Sequence, residues 1–385
     1  MTDSFPFQTV PMLVFGCGAT DQLGGHLAST GLSRPAIITD KGLVATGTVE
    51  QLCEVLRTAG CEPAVFDSIV ADPPEDVVLA MADRVRDFGA DAVIGLGGGS
   101  PMDSAKVIAV LAGPEPQELS TMYGVGNVTS SRLPLFMVPT TAGTGSEVTP
   151  IAILTTGETS KAGIVSPRLY ADAAFLDPEL TRGLPPAITA ATGIDAMVHA
   201  IEAYTGRLKK NPMSDMLARE ALRLLTCNLV QACQNGDDMV AREAMLRGSM
   251  LAGQAFANSP VGAVHALAYP LGGIFHVPHG LSNALVMPHV LRFNLEVAAP
   301  LYAELALALG LAAPVGIAAQ AESFIGYLEA LSRDSGAPQR LRDIDIPVAA
   351  LDRLADDAML QERLLVNNPR EMTRDAAREI YDAAW

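Results

Sequence analysis

Asp91-Ala92-Val93-Ile94-Gly95-Leu96-Gly97-Gly98-Gly99-Ser100-Pro101-Met102-Asp103-Ser104-Ala105-Lys106 decides the fold. An apolar run of strand length passes directly into three glycines and then into an apolar stretch with helical spacing. Glycines let the backbone approach a ligand closely. A helix that begins just after them aims unpaired N–H groups and a positive dipole end at that ligand, which suits a pyrophosphate. For the glycines alone, a tight strand-to-helix turn without a ligand explains the pattern equally well.

A second loop of the same kind weighs toward a ligand. The strand-like Leu135 to Val138 leads into Pro139-Thr140-Thr141-Ala142-Gly143-Thr144-Gly145-Ser146-Glu147-Val148-Thr149. Small hydroxyl residues and glycines at a strand end supply short donors for phosphate or ribose. Further upstream, Ala36 to Thr39 is another apolar run, and Val49 to Ala59 and Pro74 to Phe88 carry apolar residues at helical spacing. This βαβα order predicts a parallel sheet covered by helices. The dinucleotide fingerprint GxGxxG is absent, because Gly16-Cys17-Gly18-Ala19-Thr20-Asp21 lacks the third glycine. Asp40 follows the strand Ala36 to Thr39 and has two readings. Its carboxylate accepts hydrogen bonds from a ribose 2'-hydroxyl and repels a 2'-phosphate, which favours NAD over NADP, or it caps the helix that starts after Lys41.

From about Leu184 onward the chain changes to long stretches rich in Ala, Leu, Met, Arg and Glu, such as Met213 to Ala232 and Met239 to Ala257. Pro185-Pro186 marks the change, since consecutive prolines continue neither a helix nor a central strand. The predicted fold is therefore an N-terminal α/β dinucleotide-binding domain (1–183), Rossmann-like with a parallel sheet, followed by an all-α C-terminal domain (184–385). A chain of 385 residues exceeds the size at which one core usually keeps growing, which agrees with two domains.

Apolar residues make up 49% and charged residues 18%, the balance of a folded enzyme. A net charge of -17 spread along the chain argues against nucleic acid or an anionic membrane as partner. The start MTDSFPFQTV lacks the basic-then-apolar order of a signal peptide, and no apolar run is long enough to span a bilayer, so the cytoplasm is expected. Cysteines at 17, 53, 61, 227 and 233 show no metal-binding spacing and read as buried, reduced thiols.

Asp195 and His199 stand four apart within Thr192 to Glu202, so a helix puts them on one face. A lone pair of this kind is usually a surface or capping interaction, and further ligands are needed to make a metal site. Of the chain's six histidines, four fall between 265 and 289, in an apolar and glycine-rich region that includes His265 and His279. Three imidazoles and one carboxylate form a mixed N/O set suited to zinc or ferrous iron, and less so to magnesium or calcium.

Taken together, Gly97 to Lys106, Pro139 to Thr149, Gly193 to Tyr204, Met250 to Gly273 and the run from His279-Gly280 through Pro288-His289 to Phe293-Asn294 resemble the iron-containing (group III) alcohol dehydrogenase family. The resemblance implies metal ligands at Asp195, His199, His265 and His279, with no ligand lost, unlike maleylacetate reductase-like relatives. It implies cofactor contacts at Asp40, Gly97, Gly98, Gly99, Ser100, Asp103, Thr140, Thr141, Thr144, Thr149, Ile151 and Lys161, with Lys161 meeting the ribose hydroxyls. NAD and one divalent ion (Fe2+, with Zn2+ as the alternative) are the implied cofactors. Hydride would pass between NAD(H) and a small alcohol/aldehyde or ketone pair, in a homodimer or higher homo-oligomer. The dehydroquinate synthase-like lyases of the same superfamily are the runner-up; their phosphorylated substrate calls for basic residues, and Val261 to Gly280 has none. Two departures from the family pattern are Tyr269, where lactaldehyde-reducing members often have a histidine near the metal, and Asp72-Pro73 in place of a frequent Asn-Pro. His276 is a candidate for a proton relay or simply a solvent-facing or core-satisfied histidine.

Overall fold

The computed structural model describes residues 4–157, 160–311 and 315–385. They form two compact units. One comprises Thr9–Thr141 and Gly145–Arg182; the other comprises Gly183–Trp385 with Ala142–Thr144 and the N-terminal residues up to Gln8.

The first unit is built on strands β1 (Leu13–Phe15), β2 (Pro35–Ile38), β3 (Ala64–Phe66) and β4 (Ala92–Gly97), followed by β5 (Gly124–Val125), β6 (Leu135–Pro139), β7 (Ile151–Thr156), β8 (Ser160–Val165) and β9 (Ala173–Leu176). Its helices are α1 (Asp21–Ser29), α2 (Lys41–Ala45), α3 (Thr48–Thr58), α4 (Glu75–Phe88) and α5 (Gly99–Leu111). Six strands form one parallel sheet in the order β1-β9-β6-β4-β2-β3. Every residue of β2, β4, β6 and β9 is buried, because helices cover both faces, which is why these strands read as unbroken apolar runs. Gly95 allows α5 to lie close against the sheet: a Cβ there would come within 2.9 Å of both Ala105 Cβ and Met137 Sδ.

The sheet turns the quoted loops into one edge. β2 leads outward to β3 on one side and β4 leads to β6 on the other, so the carboxyl ends of β2 and β4 flank a topological switch point, where open α/β sheets bind ligands. Gly97 pairs with Pro139 across β4 and β6, and Thr140 N donates to Gly97 O at 2.9 Å, so the two glycine-containing loops leave the sheet together. A second sheet, β5-β8-β7, contains the antiparallel hairpin β7–β8, which the expectation of a purely parallel domain did not include. Its strands are half-buried, and it is tied to α5 through the fully buried Lys106. Lys106 Nζ donates to Ser146 Oγ (2.7 Å), Thr149 Oγ1 (3.3 Å) and Ile151 O (2.6 Å).

Next to this knot lies Glu147, which is 2% exposed and has one carboxylate oxygen without a hydrogen-bond partner among the described residues. Burial pushes its carboxyl up to about 7, against the pull of its own backbone N–H and of Lys106. A carboxyl with a raised pKa in the folded state favours folding at low pH. That contribution is complete below about 4.5 and lost as pH rises through about 7. Glu147→Gln is therefore expected to flatten the fall in unfolding free energy between pH 5 and 8 by about 3 kcal/mol, measured by urea titration at several pH values. An unchanged slope in the variant would show that Glu147 is ionised throughout.

The second unit is helical: α6 (Pro186–Thr205), α7 (Pro212–Gln234), α8 (Met239–Asn258), α9 (Ala263–Phe275), α10 (His279–Ala308), α11 (Ile317–Asp334), α12 (Leu351–Met359), α13 (Glu362–Leu365) and α14 (Arg374–Ala384). Pro186 and Pro212 occupy first helical positions, where the missing N–H costs nothing. Asn211 caps α7 and Asp238 caps α8 through their side chains. Helix α6 is buried along nearly its whole length between α7, α8 and α10, and α9 packs on α10. Among the described residues no helix is long and apolar enough to cross a membrane. None of the five cysteines is in a disulfide, but Cys17 and Cys227 are exposed, which corrects the expectation that all are buried.

Candidate metal centre

Three helices of the second unit bring the polar residues together. Asp195 lies in the middle of α6, His265 is the third residue of α9, and His279 is the first residue of α10. Their ligand atoms all lie within 4.8 Å of one another. Asp195 and His265 are buried, and His279 is partly exposed. The fourth expected ligand, His199, sits one turn along α6 from Asp195 but falls outside this group. Its ring stacks on Phe256 (centroids 4.2 Å apart) and on His265 (4.7 Å).

The protonation of the cluster follows from its surroundings. Burial pushes the His199 imidazole down to about 4, overcoming the attraction of Asp195, so the ring is neutral. Burial alone would raise the Asp195 carboxyl, but the three histidines and the Asn283 amide hold it below its usual range. His265 behaves oppositely: burial lowers it, and Glu202 and Asp195 more than reverse this.

Two residues here escaped the sequence reading. Glu202 is buried on α6 and places Oε2 2.6 Å from His265 Nδ1. Its signal was available, since 195, 199 and 202 share one helical face. Asn283, one turn after His279 on α10, places Nδ2 2.6 Å from Asp195 Oδ1, 3.3 Å from His265 Nε2 and 3.4 Å from His279 Nε2. An amide nitrogen has only two protons for these three acceptors. Asn283 Oδ1 and His199 Nδ1, both buried, have no hydrogen-bond partner among the described residues. One carboxylate oxygen and two imidazole nitrogens converging on a point short of donors, with a third neutral imidazole alongside, fit a divalent cation with mixed N/O preference.

The expected cofactor residues divide into groups. Gly97, Gly98, Gly99 and Ser100 form the end of β4 and the start of α5, and Thr140 and Thr141 follow β6. Thr141 Oγ1 is buried without a partner among the described residues. Asp40 is the N-cap of α2 and accepts from Leu43 N at 2.9 Å through Oδ1. The Asp103 carboxylate is occupied by Ser146 Oγ (2.5 Å) and Ile153 N (2.9 Å), so in this structure it ties α5 to the loop and to β7. Thr149 and Ile151 hold Lys106, and Thr144 groups with the helical unit. Lys161 donates to Asp72 Oδ1 at 2.6 Å, so the aspartate noted as a departure is its partner. His276, in the left-handed conformation at the end of α9, is exposed, and Tyr269 lies 5.8 Å from the His279 ring.

Comparison with known proteins agrees with this geometry. Residues 11–178 match the profile of the iron-containing alcohol dehydrogenases and residues 189–385 that of the C-terminal region of the Fe-containing alcohol dehydrogenase family. Long-chain-alcohol dehydrogenase 1 of Geobacillus thermodenitrificans (strain NG80-2) is 40% identical over 380 residues, covering 97% of this chain and 95% of its own. The 1,3-propanediol dehydrogenase of Klebsiella pneumoniae is 38% identical over 376 residues, covering 96% of each chain. A crystal structure of a 1,3-propanediol oxidoreductase superposes with a TM-score of 0.95 at 36% identity, over the full length of both chains. The chain belongs to the iron-containing alcohol dehydrogenase family. It is an oxidoreductase that uses NAD and a divalent metal on alcohol/aldehyde substrates, and the lyase alternative falls away.

Proposed function

We propose that Asp195, His199, His265 and His279 together hold one divalent ion, Fe2+ with Zn2+ as its competitor, and that the loops at Asp40, Gly97–Ser100 and Thr140–Thr141 receive NAD. The observation that carries this reading is the convergence of Asp195, His265 and His279 within 4.8 Å. When bound, such an ion makes an alcohol O–H more acidic and polarises a carbonyl. The chain's own residues prepare the point: Asp195 supplies the negative charge, neutral His199 adds a lone pair, and Asn283 orients the carboxylate. Small alcohols and their aldehydes or ketones, including the diol and longer alcohols named for the relatives, are the proposed substrates. The working form is proposed to be a cytoplasmic homodimer or higher homo-oligomer. Exposed apolar side chains such as Met213, Met216 and Val240 are compatible with subunit contacts.

The test is an NADH absorbance assay over a panel of alcohols and aldehydes, with iron- and zinc-loaded protein in parallel and metal content measured on each. Turnover that survives complete metal removal would refute the reading.

The NAD preference assigned to Asp40 can be separated from its capping role. Asparagine caps a helix about as well as aspartate but carries no charge. Asp40→Asn is therefore expected to narrow the ratio of kcat/KM for NAD over NADP while leaving thermal stability unchanged, because repulsion of a 2'-phosphate disappears and the bond to Leu43 N remains. If the ratio is unchanged, Asp40 serves the helix alone.

A further inference from the structure

We propose that Glu202 is a positioning residue that fixes His265 in the Nδ1–H tautomer and thereby leaves its Nε2 lone pair facing the metal point; this rests on the reading of His265 as a ligand. The geometry points to it from both sides of the ring. Val264 N donates to Glu202 Oε1 at 2.7 Å, and Glu202 Oε2 lies 2.6 Å from His265 Nδ1. A backbone N–H only donates, so Oε1 is committed as an acceptor and Oε2 is the atom left for the imidazole. On the far side, Asn283 Nδ2 stands 3.3 Å from His265 Nε2, and an amide N–H2 also only donates. Both contacts are satisfied together when the ring proton is on Nδ1 and the lone pair on Nε2.

Glu202 also fastens the helix that carries the ligand. Val264 is the second residue of α9, so its N–H is one of those left unpaired at a helix start, and Gly262 at the N-cap has no side chain to receive it. A carboxylate from α6 takes that role, holding the start of α9 against the helix that bears Asp195 and His199. Carboxylate partners of metal-bound histidines commonly change metal affinity by 10- to 100-fold.

Glu202→Gln isolates the tautomer effect, since it keeps the length of the side chain. Val264 N–H still requires an acceptor, so the carboxamide oxygen stays there and its N–H2 group faces His265 Nδ1, which moves the ring proton to Nε2. On full-length protein stripped of metal, 15N shifts of the His265 ring are expected to report Nδ1–H in the wild type and Nε2–H in the variant. Zn2+ affinity, read by competition with a chromophoric chelator, is expected to fall about 10- to 100-fold. An Nε2–H tautomer in the wild type, or equal Zn2+ affinity in the two proteins, would overturn the proposal. If the variant fails to fold, the wild-type tautomer alone decides. Wild type that takes up no Zn2+ overturns the ligand reading itself, whereas tight uptake by both proteins overturns only the role of Glu202.

Discussion

Replacing His199 with alanine is expected to lower kcat by ~10^3-fold or more, because several kcal/mol of transition-state stabilisation rest on a fully ligated ion. NADH binding, followed by fluorescence titration, is expected to persist, since His199 lies in the helical unit and the phosphate loops at Gly97 and Thr140 belong to the other. The competing explanation is mechanical. His199 is sandwiched between Phe256 and His265, so its removal leaves a cavity that would cost stability without any metal chemistry. His199→Phe separates the two, because a phenyl ring keeps the stack and loses both nitrogens. Loss of bound metal in both variants marks His199 as a ligand. Normal metal content and turnover in His199→Phe would reduce it to packing and leave Asp195, His265 and His279 as the whole protein contribution.

The parts of this fold that were legible in the sequence are those where one physical requirement acts over several residues. β2, β4 and β6 announced themselves because burial on both faces demands unbroken apolar runs, and α7 and α8 because long helices with polar caps repeat one pattern for many turns. The β7–β8 hairpin was not legible, because its half-buried strands carry polar and apolar residues without a clean alternation. At the site, residue type and spacing pointed to Asp195, His199, His265 and His279, of which Asp195, His265 and His279 converge, but not to their support. Glu202 shares the helical face of Asp195 and His199, but its contact with His265, like the contacts of Asn283, exists only once α6, α9 and α10 are packed together. Asp103 and Lys161 also have partners that the sequence did not show: Ser146 and Ile153 in one case and Asp72 in the other.

Gly280 shows how closely the site depends on backbone approach, and Gly280→Ala is expected to disable it without touching a ligand. A Cβ at this position would lie 2.2 Å from Ala191 O and 2.6 Å from Ala191 C, and backbone cannot swing aside as the end of a flexible side chain would. The methyl must therefore push the start of α10 away from α6. Gly280 follows directly on His279, and in an α-helix the carbonyl of residue 191 receives the N–H of residue 195, so one displacement moves the supports of both His279 and Asp195. Overpacking of this kind costs about 1–3 kcal/mol, which urea unfolding of the metal-free variant would read. A misplacement of about 1 Å at a reacting centre costs roughly 10^2-fold in rate, so turnover should fall by that factor or more even in protein that remains folded. Reduced Zn2+ uptake by folded Gly280→Ala would tie the loss to the site. A variant with wild-type stability and activity would show that α10 can relax away from α6, and that the contact at Ala191 does not set the geometry of the ligands.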